Sequence, residues 1–317
     1  MNNLLLSMLL LGACVSLTLL AVRSRRLESR RLQLAITVPA GLIACLCAAF
    51  LALAAIGAIR AHVRVAPITN VAIMPTPEKI RRGQSIADSF CGVCHSMLGP
   101  MSGGRDIGKE LSVSLGSFVP PNLTPGGPLR TWSDGQVFRA VRNGIGANGE
   151  WLMMMSYTNA SRLSDEDILA VIAYLRSLPS STTMVSGPAD ERNLFCDAML
   201  GAGLLPLGTP VTEAAIIAPA KAATADYGEY IVSYQDCRSC HGAHLDGGRP
   251  GQMTPIGPSL QRVKSWSREQ FMATLRTGID PTGHHLNPRI MPWEFVGRMD
   301  DEELGALYAY LMSSPPS

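Results

Sequence analysis

The chain has 317 residues, with 27 lysines and arginines against 25 aspartates and glutamates, for a formal net charge of +2. That balance leaves no basic footprint for nucleic acid. Only 16% of the residues are charged while 47% are hydrophobic, which points to membrane segments.

Those segments lie at the start. Leu4 to Val22 is an uncharged run of 19 residues, and Leu32 to Ile59 one of 28. Both are long enough to cross a bilayer as helices, the second with tilt or overhang. Between them Arg23, Arg25, Arg26, Arg30 and Arg31 stand against Glu28 alone, and Met1-Asn2-Asn3 has no side-chain charge. The positive-inside rule then places the arginine loop in the cytoplasm and both chain ends outside. No basic region precedes the first run, so we expect a retained two-helix transmembrane hairpin over 1–64, with spans of about 4–22 and 32–59. The rival readings are a signal peptide cleaved near Ala13 and a lipoprotein site at Cys14. The second run carries Ala44, Ala48, Ala49, Ala52, Ala54 and Ala55, small residues that allow close helix packing in lipid and a place in a larger membrane complex.

Two copies of one pattern follow, Cys91-Gly-Val-Cys94-His95 and Cys237-Arg-Ser-Cys240-His241. C-x-x-C-H is the haem c attachment motif. On one helical turn the two thiols point to the same side and can bond to both haem vinyl groups, and the histidine offers an axial nitrogen to the iron. No second C-x-x-C or H-x-x-x-H completes a zinc site around either copy. We expect two covalently attached haem c groups on Cys91, Cys94, Cys237 and Cys240, with His95 and His241 as metal ligands. Haem c is attached on the outer side of the bacterial inner membrane, so an even number of spans is required. Cys14, Cys45 and Cys47 lie in the apolar runs, and Cys196 reads as a buried small apolar residue.

The region after Val65 repeats itself. Trp132-Ser-x-x-x-Val-Phe-x-x-Val-Arg142-x-Gly144 matches Trp266-Ser-x-x-x-Phe-Met-x-x-Leu-Arg276-x-Gly278, an offset of 134 residues. Arg162-Leu-Ser-Asp-Glu-Asp matches Arg298-Met-Asp-Asp-Glu-Glu, and Ala173-Tyr174-Leu175 matches Ala309-Tyr310-Leu311, at an offset of 136. Each half starts with a helix running into the motif. A loop, a Trp-started helix, a second loop and a terminal helix with an acidic first turn follow. Gly83 and Gly228 are expected to let the terminal helix approach closely near Tyr174 and Tyr310. The expected fold class is all-α: the hairpin, then two tandem helical domains over 76–180 and 225–317. Between them 181–224, rich in Ala, Pro, Ser and Thr, is expected to be a surface linker.

Both halves resemble cytochrome c domains. The region from about residue 76 onward is similar to the tandem cytochrome c domains of membrane-bound dehydrogenase cytochrome subunits of the alcohol and gluconate type. The resemblance is carried by Pro121-Asn122-Leu-Thr124-Pro125, Leu163-Ser-Asp-Glu-Asp167, and Asp280-Pro-Thr-Gly283 leading to Met291-Pro292-Trp293. That family commonly has three haem domains and a C-terminal anchor. An N-terminal anchor before two haem domains also resembles the dihaem subunit of some haem–copper oxidases.

The resemblance implies a methionine opposite each histidine. Met291-Pro292 matches the family's ligand loop, so Met291 is the expected second metal ligand at the haem of the second half; Met253, Met272 and Met299 compete. In the first half Met153, Met154 and Met155 are adjacent. Aligning Tyr174 with Tyr310 puts Met155 opposite Met291, with Ser156 at the proline position; Met154 stays possible if the loop shifts. Ligation by His284 or His285 is the lesser reading. The resemblance also implies that Pro258 and Pro121 offer carbonyls to the axial histidines. Trp132, Trp266, Arg142 and Arg276 are candidates for haem propionate contacts, or else helix caps with surface arginines.

The expected function is single-electron relay on the periplasmic face of the inner membrane, as a subunit of a respiratory or dehydrogenase complex and without an enzymatic activity of its own. The expected partners are membrane lipid, other subunits of the complex, and redox donor and acceptor proteins. The alternative is a dihaem cytochrome c peroxidase. It needs an iron open to peroxide and polar groups for O–O cleavage, and no such constellation stands near either ligand loop.

Overall fold

The computed structural model describes residues 3–185, 187, 190–252 and 254–313. Met253 and 314–317 lie outside the described residues. The chain divides into two units: 1–64 with 106–118 and 188–207, and 65–105 with 119–187 and 208–317.

In the first unit the two apolar runs form helices Asn3–Ser24 and Arg30–His62, each long and apolar enough to cross a membrane. Ser29 caps the second by accepting from Leu32 N–H. The helices run antiparallel, since Ser24 Oγ meets Thr37 Oγ1 at 2.5 Å and Cys14 Sγ lies 3.4 Å from Ala44 O. Within the stretch expected as a linker, Leu194–Gly201 forms a helix that packs on Arg30–His62. The preceding Glu191–Arg192 pairs antiparallel with Gly116–Ser117. Cys196, on that helix, is fully buried as expected.

In the second unit the two sequence repeats fold alike. The lead-in helices are Pro77–Ile86 and Ala225–Tyr234, the Trp-started helices Asp134–Asn143 and Arg268–Thr277, and the terminal helices Asp165–Ser177 and Asp301–Ser313. Both Trp-started helices open on capping boxes, Ser133 with Gln136 and Ser267 with Gln270. Each terminal helix crosses its lead-in helix where the glycine stands. A Cβ at Gly83 would lie 1.9 Å from Ala170 O, one turn before Tyr174; one at Gly228 would lie 2.0 Å from Ala306 O and 2.7 Å from Tyr310 Cβ. Only glycine permits that approach.

One buried cluster, from Ile86 and Leu163 through Ile231 to Leu304 and Leu311, runs through both repeats. The later part of 181–224 lies along the first repeat: Thr209 N–H donates to Ser156 O at 2.8 Å and Asp165 N–H to Ile216 O at 3.0 Å.

Candidate haem sites

Each motif sits on a short helical turn. The first lead-in helix continues through a π-type turn, Ala87–Cys91, into Gly92–His95. The second breaks at Asp236, held at φ 56°, before Cys237–His241. All four cysteines are half-buried and both histidines are buried.

His95 Nδ1 lies 3.0 Å from Pro121 O, and His241 Nδ1 lies 2.7 Å from Pro258 O. These are the two prolines named from the sequence. A carbonyl can only accept, so Nδ1 carries the proton and Nε2 keeps its lone pair for a metal. Burial lowers both imidazole pKa values, which keeps the rings in the neutral, ligating form.

The loops after the motifs repeat the same bonds. Gly103 N–H donates to His95 O and Gly247 N–H to His241 O, each at 2.8 Å. Met101 and Leu245, both buried and both at positive φ, offer carbonyls to Leu123 and Leu260, each at 2.8 Å. Burial pushes the Cys91 and Cys237 thiols up to about 12, so neither is a ready thiolate in this surrounding. Paired thiols on one turn and a fixed, neutral imidazole beside them are the donor set that covalent haem c needs, and the residues fit the group.

Of the three adjacent methionines, Met153 is fully buried core, whereas Met154 and Met155 are half-buried on the short helix Met153–Tyr157. Ser156, at the proline position, is held on several sides. Its Oγ accepts from Trp151 Nε1 and donates to Met153 O, both at 2.8 Å. Its N–H donates to Leu152 O at 2.9 Å. Met291 is half-buried against the common core, directly before Pro292. Met299 is buried core and Met272 packs from its helix. His284 and His285 are exposed.

Arg142 and Arg276 are committed elsewhere than to propionates. Arg142 is buried and donates to Ser161 O, Leu163 O and, at 2.6 Å, Asp165 Oδ1. Arg276 reaches Met299 O and, at 2.5 Å, Asp301 Oδ1. Both fasten the start of a terminal helix. Trp132 and Trp266 pack against the core.

The sequence reading missed the contact between the repeats, which runs beside both motifs. Arg82 forks onto Asp167, Nε to Oδ1 at 2.7 Å and Nη2 to Oδ2 at 2.8 Å, and its Nη1 donates to Glu303. Ser85 donates to Glu303, while Tyr230 OH donates to Asp167 at 2.5 Å. Phe90 meets Tyr234 edge-on with centroids 5.9 Å apart, and Gln235 Nε2 donates to Ser89 Oγ at 3.2 Å. Asn159 donates to Asp236 next to the second motif, and Phe295 lies against Gly92 of the first. Burial pushes the Asp236 carboxyl up to about 6 against those Asn159 bonds.

Paired helical repeats, each with C-x-x-C-H and a carbonyl-fixed histidine, have the features of a c-type cytochrome. Residues 78–175 and 223–311, more than half of the chain, match the family described as cytochrome c oxidase, cbb3-type, subunit III, and the chain belongs to that family. It is similar to the cytochrome c subunit of alcohol dehydrogenase (quinone) from Gluconobacter oxydans, with 27% identity over 74% of this chain and 55% of the relative. The fructose dehydrogenase cytochrome subunit of Gluconobacter japonicus is 33% identical over 27% of this chain and 20% of its own length. The gluconate 2-dehydrogenase cytochrome c subunit of Pantoea cypripedii is 32% identical over 30% of this chain and 22% of its own. The chain thus spans about half the length of the first of these relatives and less of the others. The expected resemblance to dehydrogenase cytochrome subunits holds, and membership of a cytochrome c family implies covalently bound haem c.

Proposed function

We propose that this chain is a dihaem c-type cytochrome that relays single electrons on the periplasmic face of the inner membrane as a subunit of a membrane oxidoreductase complex. The observation that carries it is the duplicated site: two C-x-x-C-H turns, each histidine held through Nδ1 by a prolyl carbonyl, in repeats with matching loop bonds. When bound, haem c supplies a one-electron iron couple. Cys91 and Cys94 fix one haem on 76–180, and Cys237 and Cys240 the other on 225–317. His95 and His241 would offer a nitrogen, and Met155 and Met291 a sulfur, to the iron of each haem. The hairpin of 1–64 anchors both to the lipid. The partner that delivers electrons is a dehydrogenase-type subunit, by analogy with the relatives' names, and an oxidase-type acceptor takes them away.

The test uses the purified holo-chain. Intact mass two haems above the polypeptide, with a sulfur–iron charge-transfer band in the ferric spectrum, supports the proposal. Met155→Ala and Met291→Ala lower the potentials and slow electron flux from a donor. Peroxidase turnover that survives both substitutions, or a single haem, overturns it.

A further inference from the structure

We propose that the helix Leu194–Gly201 is immersed in the outer leaflet of the membrane, a third, non-spanning element of the anchor whose outward face contacts lipid acyl chains. This rests on the reading that the two long helices cross the bilayer.

The argument is one of depth. The uncharged run of the first helix, Leu4 to Val22, is 19 residues, about 28 Å as a helix, barely the hydrocarbon thickness of about 30 Å. It has no slack, so a spanning helix carries Leu6 and Leu10 below the hydrocarbon boundary. Leu194 and Ala198 pack with Ala54 in a buried cluster joined by Leu6, Leu10, Phe50, Leu51 and Leu53. A helix touching Leu6 and Leu10 at that level shares their depth.

The helix is built for a place without water. Three of its N-terminal donors are taken internally: Leu194 N–H by Asn3 Oδ1 at 3.2 Å, Cys196 N–H by Asn193 Oδ1 at 2.8 Å, and Asp197 N–H by Asn193 O at 3.1 Å. At the other end Leu200 O accepts from Arg60 Nη1 at 2.8 Å, and Ala198 O and Met199 O accept from Ala202 and Leu204 N–H, each at 2.9 Å. Unmet backbone groups are costly in hydrocarbon, and these are met. Its one charged residue, Asp197, pairs with Arg192 at 2.9 Å.

The helix also meets the second span backbone to backbone. A Cβ at Gly57 would lie 1.8 Å from Asp197 O, and one at Gly201 1.9 Å from Leu53 O, the small-residue contact by which helices associate in lipid. On a flank of the helix, roughly a quarter turn from the packed face, Phe195 is 44% exposed, and Leu204 beyond its end is 70% exposed.

The experiment uses the holo-chain alone in phosphatidylcholine vesicles, so that only lipid can cover the helix. In a chain carrying Cys14→Ala, Cys45→Ala, Cys47→Ala and Cys196→Ala, Phe195→Cys is compared with Leu9→Cys in the first span and Ile217→Cys, which is 90% exposed. A charged, membrane-impermeant maleimide is expected to label position 195 about tenfold more slowly than 217, as it does position 9, because hydrocarbon excludes the reagent. In the unmodified chain, a phospholipid with a diazirine on its acyl chain is expected to tag the 190–207 peptide. Labelling at 195 as fast as at 217, with 9 protected and no tag on that peptide, overturns the proposal. Fast labelling at 9 overturns the spanning reading itself, and the proposal with it.

Discussion

Asp167 and Glu303 stand at the same position of the two repeats, 136 residues apart, and converge on one guanidinium, that of Arg82. Their side chains are 8% and 1% exposed and that of Arg82 is 17% exposed, so the cluster is a buried network rather than a surface pair. Around it the repeats exchange equivalent groups: Ser85 and Tyr230, which occupy matching turns of the lead-in helices, each donate to the carboxylate of the opposite repeat.

Removing the guanidinium from such a network leaves two buried carboxylates without their shared cation, with only Lys221, 3.9 Å from Glu303, still near. Arg82→Met is therefore expected to lower stability by about 3–5 kcal/mol. Lys79→Met, which loses only a pair to the exposed Glu166, is expected to change it by less than about 1 kcal/mol. Thermal melting of the holo-chain in detergent, followed by far-ultraviolet circular dichroism, measures both. Equal effects would show that the buried cluster does not hold the repeats together.

Phe90 directly precedes Cys91 and Tyr234 stands three residues before Cys237, so their edge-to-face contact ties the two motif turns to each other. Aromatic pairs of this geometry contribute about 0.5–1.5 kcal/mol beyond burial. A double-mutant cycle with Phe90→Leu and Tyr234→Leu is expected to return a coupling energy of about 1 kcal/mol in denaturant unfolding. A coupling near zero would mean the rings only fill space.

What the sequence made legible was whatever is local or repeated. The two long apolar helices, both motifs, the matching helices and the glycine crossings at Gly83 and Gly228 follow from apolar run length, fixed spacing and self-similarity. The helix Leu194–Gly201 did not show itself, because eight residues inside an Ala-, Pro-, Ser- and Thr-rich stretch are too few for a helical period to stand out. The contact between repeats stayed hidden for another reason. Asp167 and Glu303 look like ordinary first-turn acids of terminal helices, and nothing near them in the chain points to Arg82, more than eighty residues before Asp167. Arg142 read as a propionate candidate or a surface arginine for the same reason, since its acceptors, from Ser161 to Asp165, lie at the next helix start.

The methionine-rich loop of the first repeat lacks a proline, and Ser156 at that position is held by hydrogen bonds to Trp151 Nε1 and Met153 O. Met153 is packed in the core, while Met155, the sulfur proposed for the first haem, and Met154 are half-buried. Met155→Ala is expected to abolish the sulfur–iron charge-transfer band of one haem, and Met154→Ala to leave it intact. Ser156→Ala removes a buried acceptor of Trp151 Nε1 and is expected to cost about 1–3 kcal/mol while keeping the band. Spectra and melts of the three variants decide it. A lost band in Met154→Ala instead moves the ligand by one residue.

Asp236 gives a pH dependence of definite sign. Its carboxyl, raised by burial to about 6 from the ordinary 3.8, keeps its proton in the folded chain at pH values where the unfolded chain has released it. The folded state thus binds more protons in that window, so stability is fully present below pH 3.8, falls as pH rises, and levels off above about 6. Asp236→Asn removes the charge that burial penalises. It keeps an oxygen for Asn159 and tolerates the positive φ. The variant is expected to exceed the parent in stability by about 3 kcal/mol at pH 7.5, a difference that nearly vanishes below pH 4. Melting temperatures of both proteins across that range measure it, and a difference that stays constant with pH would show that Asp236 is not the titrating group.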